Sequence, residues 1–141
     1  MESKLQGIYN NYFRESKIQF SKAVLGETTF IKLYLAKDET EEAHGYYDND
    51  MIKCLFRLKE QENNYILESI INCYFIKPQE DYLCYSQKKV SFRKTIGDEK
   101  KILSSFEKFV KRLHDSILED EKNGLIHDNF KDLVKSRVRK D

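Results

Sequence analysis

The chain has little proline or glycine: one and five, respectively, in 141 residues, and there is no tryptophan. That scarcity excludes collagen-like and linker-rich chains and argues against a many-turned sandwich. It also leaves too few glycines for a backbone cradle around phosphate. No G-x-x-x-x-G-K-[S/T] loop exists, and no G-x-G-x-x-G follows a strand. The G-x-S-x-G elbow, H-E-x-x-H and EF-hand spacings are missing as well. No apolar run approaches the ~18–20 residues a membrane span needs, so no membrane contact is expected. The N-terminus, MESKLQGIYNNYF, lacks the basic-then-apolar order of a signal peptide, so a cytoplasmic location is expected. Charge of one sign is lacking too. With 25 basic and 24 acidic residues the net charge is +1, and any polyanion must be met by a local patch.

The three cysteines, Cys54, Cys73 and Cys84, are 19 and 11 residues apart and lack the short knuckle of a zinc site. A reducing compartment argues against a disulfide. Counting through a four-residue turn at 61–64 sets Glu60 opposite Tyr65 and Ile52 opposite Cys73. A turn at 78–81 sets Lys77 opposite Tyr82 and Phe75 opposite Cys84. All three thiols then project from one face, with Ile52, Phe56, Leu58, Leu67, Ile71 and Phe75. That face is the expected core, where free cysteine behaves as a small hydrophobe.

What is present is enough for one α+β domain spanning 1–141. Aromatics are too abundant for a disordered chain, and a chain this long buries roughly two-thirds of its unfolded surface. Leu5, Ile8, Tyr9, Tyr12 and Phe13 recur at helical spacing, predicting a short N-terminal helix. From about Lys17 the period becomes two, and residues 28–36, TTFIKLYLA, complete a hairpin. Residues 51–60 alternate cleanly, residues 65–77 form a long strand that Pro78 ends, and 82–94 supply a fifth. Thr95-x-x-Asp98 reads as a helix start. Ile102, Phe106, Phe109, Val110, Leu113 and Ile117 then follow on one stripe as far as the stop at Asn123-Gly124. A shorter helix begins near Asp128. The predicted architecture is a five-stranded antiparallel meander with a short N-terminal helix, a long amphipathic helix on one sheet face and a short C-terminal helix.

No catalytic constellation or cofactor motif emerges, so the leading expectation is a small non-catalytic protein that binds another macromolecule, as inhibitors, immunity or anti-defence factors and adaptors do. Its contact element would be the acidic segment at 38–50, DETEEAHGYYDND. Tyr46 and Tyr47 would be anchors, and Glu41, Glu42, Asp48 and Asp50 a charged rim suited to a basic groove. The alternative is single-stranded DNA or RNA binding on the sheet face opposite the cysteines. There Lys53, Arg57, Lys59, Lys89 and Arg93 would track phosphates while Tyr74 and Tyr85 stack on bases. A third reading places a divalent-metal hydrolase at the acidic segment with His44. His114 and His127 read as a helix-boundary residue and the residue at a helix start. Isoleucines on the second face leave room for a homodimer.

Overall fold

The computed structural model describes residues 1–23, 26–35, 51–78 and 85–141, with only the backbone for Pro78 and Tyr85. The acidic segment with Glu41, Glu42, Tyr46, Tyr47, Asp48 and Asp50, together with His44 and Cys84, lies outside the described residues. The elements are α1 (Glu2–Asn10), β1 (Ile18–Lys22), β2 (Thr28–Leu33), β3 (Ile52–Gln61), β4 (Asn64–Pro78), β5 (Tyr85–Lys89), β6 (Thr95–Gly97), α2 (Glu99–Lys122) and α3 (Asp128–Arg137). The sheet is antiparallel in the order β1-β2-β3-β4-β5, and β6 also pairs with β4. It is an α+β fold with the long helix packed on one sheet face.

β5 and β6 are two pieces of one interrupted strand. Cys73 pairs with Lys89 and Leu67 with Thr95, so the Gln87–Lys89 part of β5 keeps the same count along β4 as β6. Residues 90–94 leave the ladder between them, although Val90 still donates from its backbone to the Asn72 carbonyl at 2.9 Å. The expected strand at 82–94 is therefore displaced and split, and Thr95 belongs to β6 rather than to a helix start. The N-cap of α2 is Asp98, whose carboxylate accepts from the Lys101 N–H at 2.9 Å and satisfies one of the donors the first turn leaves free. Gly124, at φ +71°, ends α2 as expected, and the Leu125 N–H returns to the Asp120 carbonyl.

All three helices share one core with one face of the sheet. Ile31, Leu33, Cys54, Phe56, Leu58 and Leu67 meet Ile102, Phe106, Phe109, Val110, Leu113 and Ile117 of α2, with Tyr9 and Phe13 at one end and Phe130 and Val134 of α3 closing it. The C-terminus is tied back to the N-terminus. Phe13 and Val138 form a β-bridge, Arg139 N–H donates to the Tyr12 carbonyl at 2.9 Å, and the Arg139 Nε to that of Asn10 at 2.8 Å. His114 donates from Nε2 to the Arg139 carbonyl and stacks edge-on against Tyr12, a boundary role. His127 caps α3 by accepting from the Asn129 N–H.

One irregularity reorders the predicted faces. Glu60 does pair with Tyr65, and the count holds through Leu58–Leu67 and Phe56–Ser69. It then shifts, and Leu55 pairs with Ile71, leaving Ile70 as a bulge residue. A one-residue shift sends every later side chain to the other face. Ile52 thus lies opposite Tyr74, not Cys73, and Lys53 lies opposite Cys73. Cys54 faces the helices, whereas Cys73, also buried, points to the second face with Lys53. Both are free thiols. The β4–β5 pairing also differs from expectation, since Phe75 lies opposite Gln87 and Lys77 opposite Ser86.

Tyr74 accordingly enters the core with no exposed surface. Its hydroxyl donates to Asp120 Oδ2 and lies 2.8 Å from Ser116 Oγ, while Lys88 reaches Asp120 Oδ1 at 3.4 Å. The buried Asp120 is thereby satisfied by a phenol and an ammonium. Burial, reinforced by the bond to Asp120, raises the Tyr74 pKa far above the ordinary phenol value. Burial does the same to Tyr9. A phenol whose folded pKa is raised contributes stability that is complete below its unfolded pKa, near 10, and is lost as pH climbs above it. Between pH 9 and 11 each such group is expected to cost the fold up to about 1.4 kcal/mol. Tyr74→Phe should be less stable at pH 8 yet lose less over that interval than the wild type. Urea unfolding at the two pH values measures the difference.

Candidate functional site: a basic sheet face without helices

The helix contacts with the sheet fall on β1, β4 and β6, on the face that carries the core. None of the three helices packs on the other face, although Cys73, at one end of it, is buried. Its side chains form cross-strand rows, with neighbouring strands ~4.8 Å apart. Thr28, Lys59, Ile66 and Ile96 make the first row, and Phe30, Arg57 and Glu68 the second. Lys32, Leu55 and Ile71 make the third, and Lys53, Cys73 and Lys89 the fourth. Tyr34 follows Lys32 at period two, and the Lys32 ammonium sits 5.7 Å from its ring centroid. Ile70, the bulge residue, is 47% exposed beside them.

Charge on these rows is one-sided. Among the described residues in these rows, Lys32, Lys53, Arg57, Lys59 and Lys89 stand with one acid, Glu68. Glu68 is held by Arg57, whose Nε and Nη2 both lie 2.6 Å from Glu68 Oε1. That hydrogen bond lowers the Glu68 pKa below the usual carboxylate value, with further help from the charges of Lys94 and Lys59.

The expected nucleic-acid residues divide as follows. Lys53, Arg57, Lys59 and Lys89 do share the face without helices. Tyr74 does not; the bulge at Ile70 turns it into the core. Arg93 lies off the face, in a cleft between residues 91–96 and α2. Tyr85 pairs with Pro78 through β5, and its side chain lies outside the described residues. Aromatic surface comes instead from Phe30 on β2 and from Tyr34 just past its end. Their alternation with Lys32 is plain in TFIKLY. Assigning them to this face needed the β2–β3 register, which no short turn sets, because the two strands are separated by the long segment at 36–50.

Among the described residues no group of three or more His, Cys, Asp or Glu side chains converges as a metal site would, and no helix is long and apolar enough to cross a membrane. Comparison with known proteins finds no family model, curated protein or solved structure that matches this chain. The fold and the site define an α+β protein with a one-sided helical layer and a basic, aromatic-bearing sheet surface.

Proposed function

We propose that this protein binds single-stranded nucleic acid on the helix-free sheet face. One observation carries the reading: among the described residues, the cross-strand rows of that face carry five cations and one acid, Glu68, interleaved with Phe30, Leu55 and Ile66, while Glu27 and Glu62 stand only at the end beside Ile66 and Ile96. Lysine and arginine neutralise phosphates without regard to sequence, and rings or flat apolar side chains accept unstacked bases. A duplex, its bases stacked inward, would use only the cations. A protein partner at residues 38–50, the leading expectation from the sequence, and a divalent-metal hydrolase there, the third, both fall on residues outside those described.

The test is fluorescence anisotropy of a labelled 20-nucleotide single strand, titrated at several salt concentrations. Binding should weaken with salt, and Lys53→Ala with Lys59→Ala should lower the log–log salt slope by about 1.4, at roughly 0.7 per phosphate contact. Phe30→Ala should weaken binding about tenfold or more while leaving the slope in place, as the loss of one stacking contact does. Wild-type protein showing no salt-dependent binding would remove the proposal.

A further inference from the structure

The exposed side of α2 carries Lys101, Ser105, Lys108 and Arg112 at spacings of four, three and four, which is one face of a helix. It stands opposite the stretch that leaves the ladder between β5 and β6, and the two walls enclose an open cleft of about 850 Å³. Arg93 and Lys94 join from the second wall, giving five cations. Every other described lining residue is a hydroxyl-bearing or apolar one, and among the described residues no acid lines the cleft.

The walls are fixed. Arg112 Nη1 donates to the Ser91 carbonyl at 3.0 Å, and the hydroxyls of Thr95 and Ser105 are 2.6 Å apart. Phe92 anchors the outer wall by packing edge-on against Phe56 and Phe109 at 5.1 and 5.7 Å. Lys101 lies along Gly97 so closely that a Cβ there would meet its Cδ at 2.6 Å. The absent side chain at Gly97 therefore decides where the Lys101 stem runs.

Nothing in the packing calls for this charge. Arg93, Lys94, Lys101 and Lys108 form no ion pair with a described acid. Lys101 also stands in the first turn of α2, where the helix dipole disfavours a cation. Crowding five like charges around one cleft costs stability in the unliganded protein, and an anion relieves both that repulsion and the dipole penalty. From Lys101 to Arg112 the row extends about 16 Å along the helix, too long for one phosphate group and suited to a chain of them.

We infer that this cleft is a second phosphate-backbone site, and that a bound nucleic-acid strand passes from the helix-free sheet face over the β6 edge into it. The link is Ile96, 52% exposed, which ends the first cross-strand row and also lines the cleft. The inference rests on the nucleic-acid reading above, and its test separates the two.

Salt slopes are compared for the same 20-nucleotide strand on wild type, on Lys101→Ala with Lys108→Ala, and on the sheet pair Lys53→Ala with Lys59→Ala. Circular dichroism checks the fold, and Arg93→Ala with Lys94→Ala, on the facing wall, serves as an independent second variant. The cleft variants should each lower the slope by about 1.4, so that the drop in affinity between 50 and 200 mM salt becomes about sevenfold shallower. If both cleft variants keep the wild-type slope while the sheet pair loses it, the cleft inference is wrong and the sheet reading stands. Loss in the cleft variants alone keeps the cleft as a phosphate site and overturns the sheet path. A wild-type protein that does not bind overturns both.

Discussion

Tyr74→Ala is expected to destabilise the protein by about 3–5 kcal/mol, the range for truncating a large buried aromatic. The phenol has no exposed surface and stands in the inner row opposite Ile52. Its removal leaves a cavity between β4 and α2. It also takes away the donor that Asp120 accepts from, and a buried carboxylate stripped of a partner adds a cost of its own. Against a total stability of about 5–15 kcal/mol, such a loss consumes a large share. Ile70→Ser, four residues earlier on the same strand, should change stability by less than about 0.5 kcal/mol, because Ile70 is the half-exposed bulge residue. Urea denaturation of both variants reads the register directly. A regular strand would put Tyr74 on the helix-free face and make its truncation mild, so equal, small effects would contradict the bulge.

Phe56→Ala is the second large effect expected, again about 3–5 kcal/mol. Phe56 is fully buried, with the rings of Phe92, Phe106 and Phe109 edge-on around it at 5.1, 6.0 and 5.0 Å. Edge-to-face pairs contribute about 0.5–1.5 kcal/mol each beyond the area they bury, so the loss should fall toward the upper end. The melting temperature should drop by roughly 10–20 °C in a domain of this size, which calorimetry would show. Phe56 reaches further than the core. Phe92 packs on it and holds the outer wall of the basic cleft, so a partly folded Phe56→Ala protein should also lose part of its salt-dependent nucleic-acid binding. Phe56→Leu, which keeps most of the volume, should retain more of both.

Much of the fold was legible because two periods are written plainly in the chain. Ile52, Cys54, Phe56 and Leu58 alternate, and the stripe from Ile102 to Ile117 recurs at three and four, so β3 and α2 lie close to where those patterns place them. The turn at residues 61–64 also set the β3–β4 register correctly as far as Phe56–Ser69. Beyond Ser69 nothing local announces the bulge. SIINCY carries apolar residues on both parities, so either register buries hydrophobic groups, and packing against α2 makes the choice. Asp120 is the residue that rewards the shifted one. Only with Tyr74 turned inward does its carboxylate, buried on the sheet side of α2, receive a hydroxyl donor. The break in the last strand was equally hidden, since 82–94 reads as one extended strand and Thr95 as a helix start, while the separation into β5 and β6 accompanies the irregularity in β4 beside it.

The basic cleft shows the same division. Lys101, Lys108 and Arg112 are visible in the sequence as solvent-side positions of an amphipathic helix, where cations are ordinary. Arg93 and Lys94 sit in what reads as a strand. That the two sets face each other depends on how residues 91–94 leave the ladder and on Phe92 fastening that segment to Phe56 and Phe109. By itself the sequence determined the element types, the long helix with its buried stripe and the absence of known catalytic motifs, because periodicity and spacing are local properties. The tertiary structure decided which face each residue of β4 shows and which cations stand together. Those depend on the irregularities in β4 and one interrupted strand, whose energies come from contacts between residues distant in the chain.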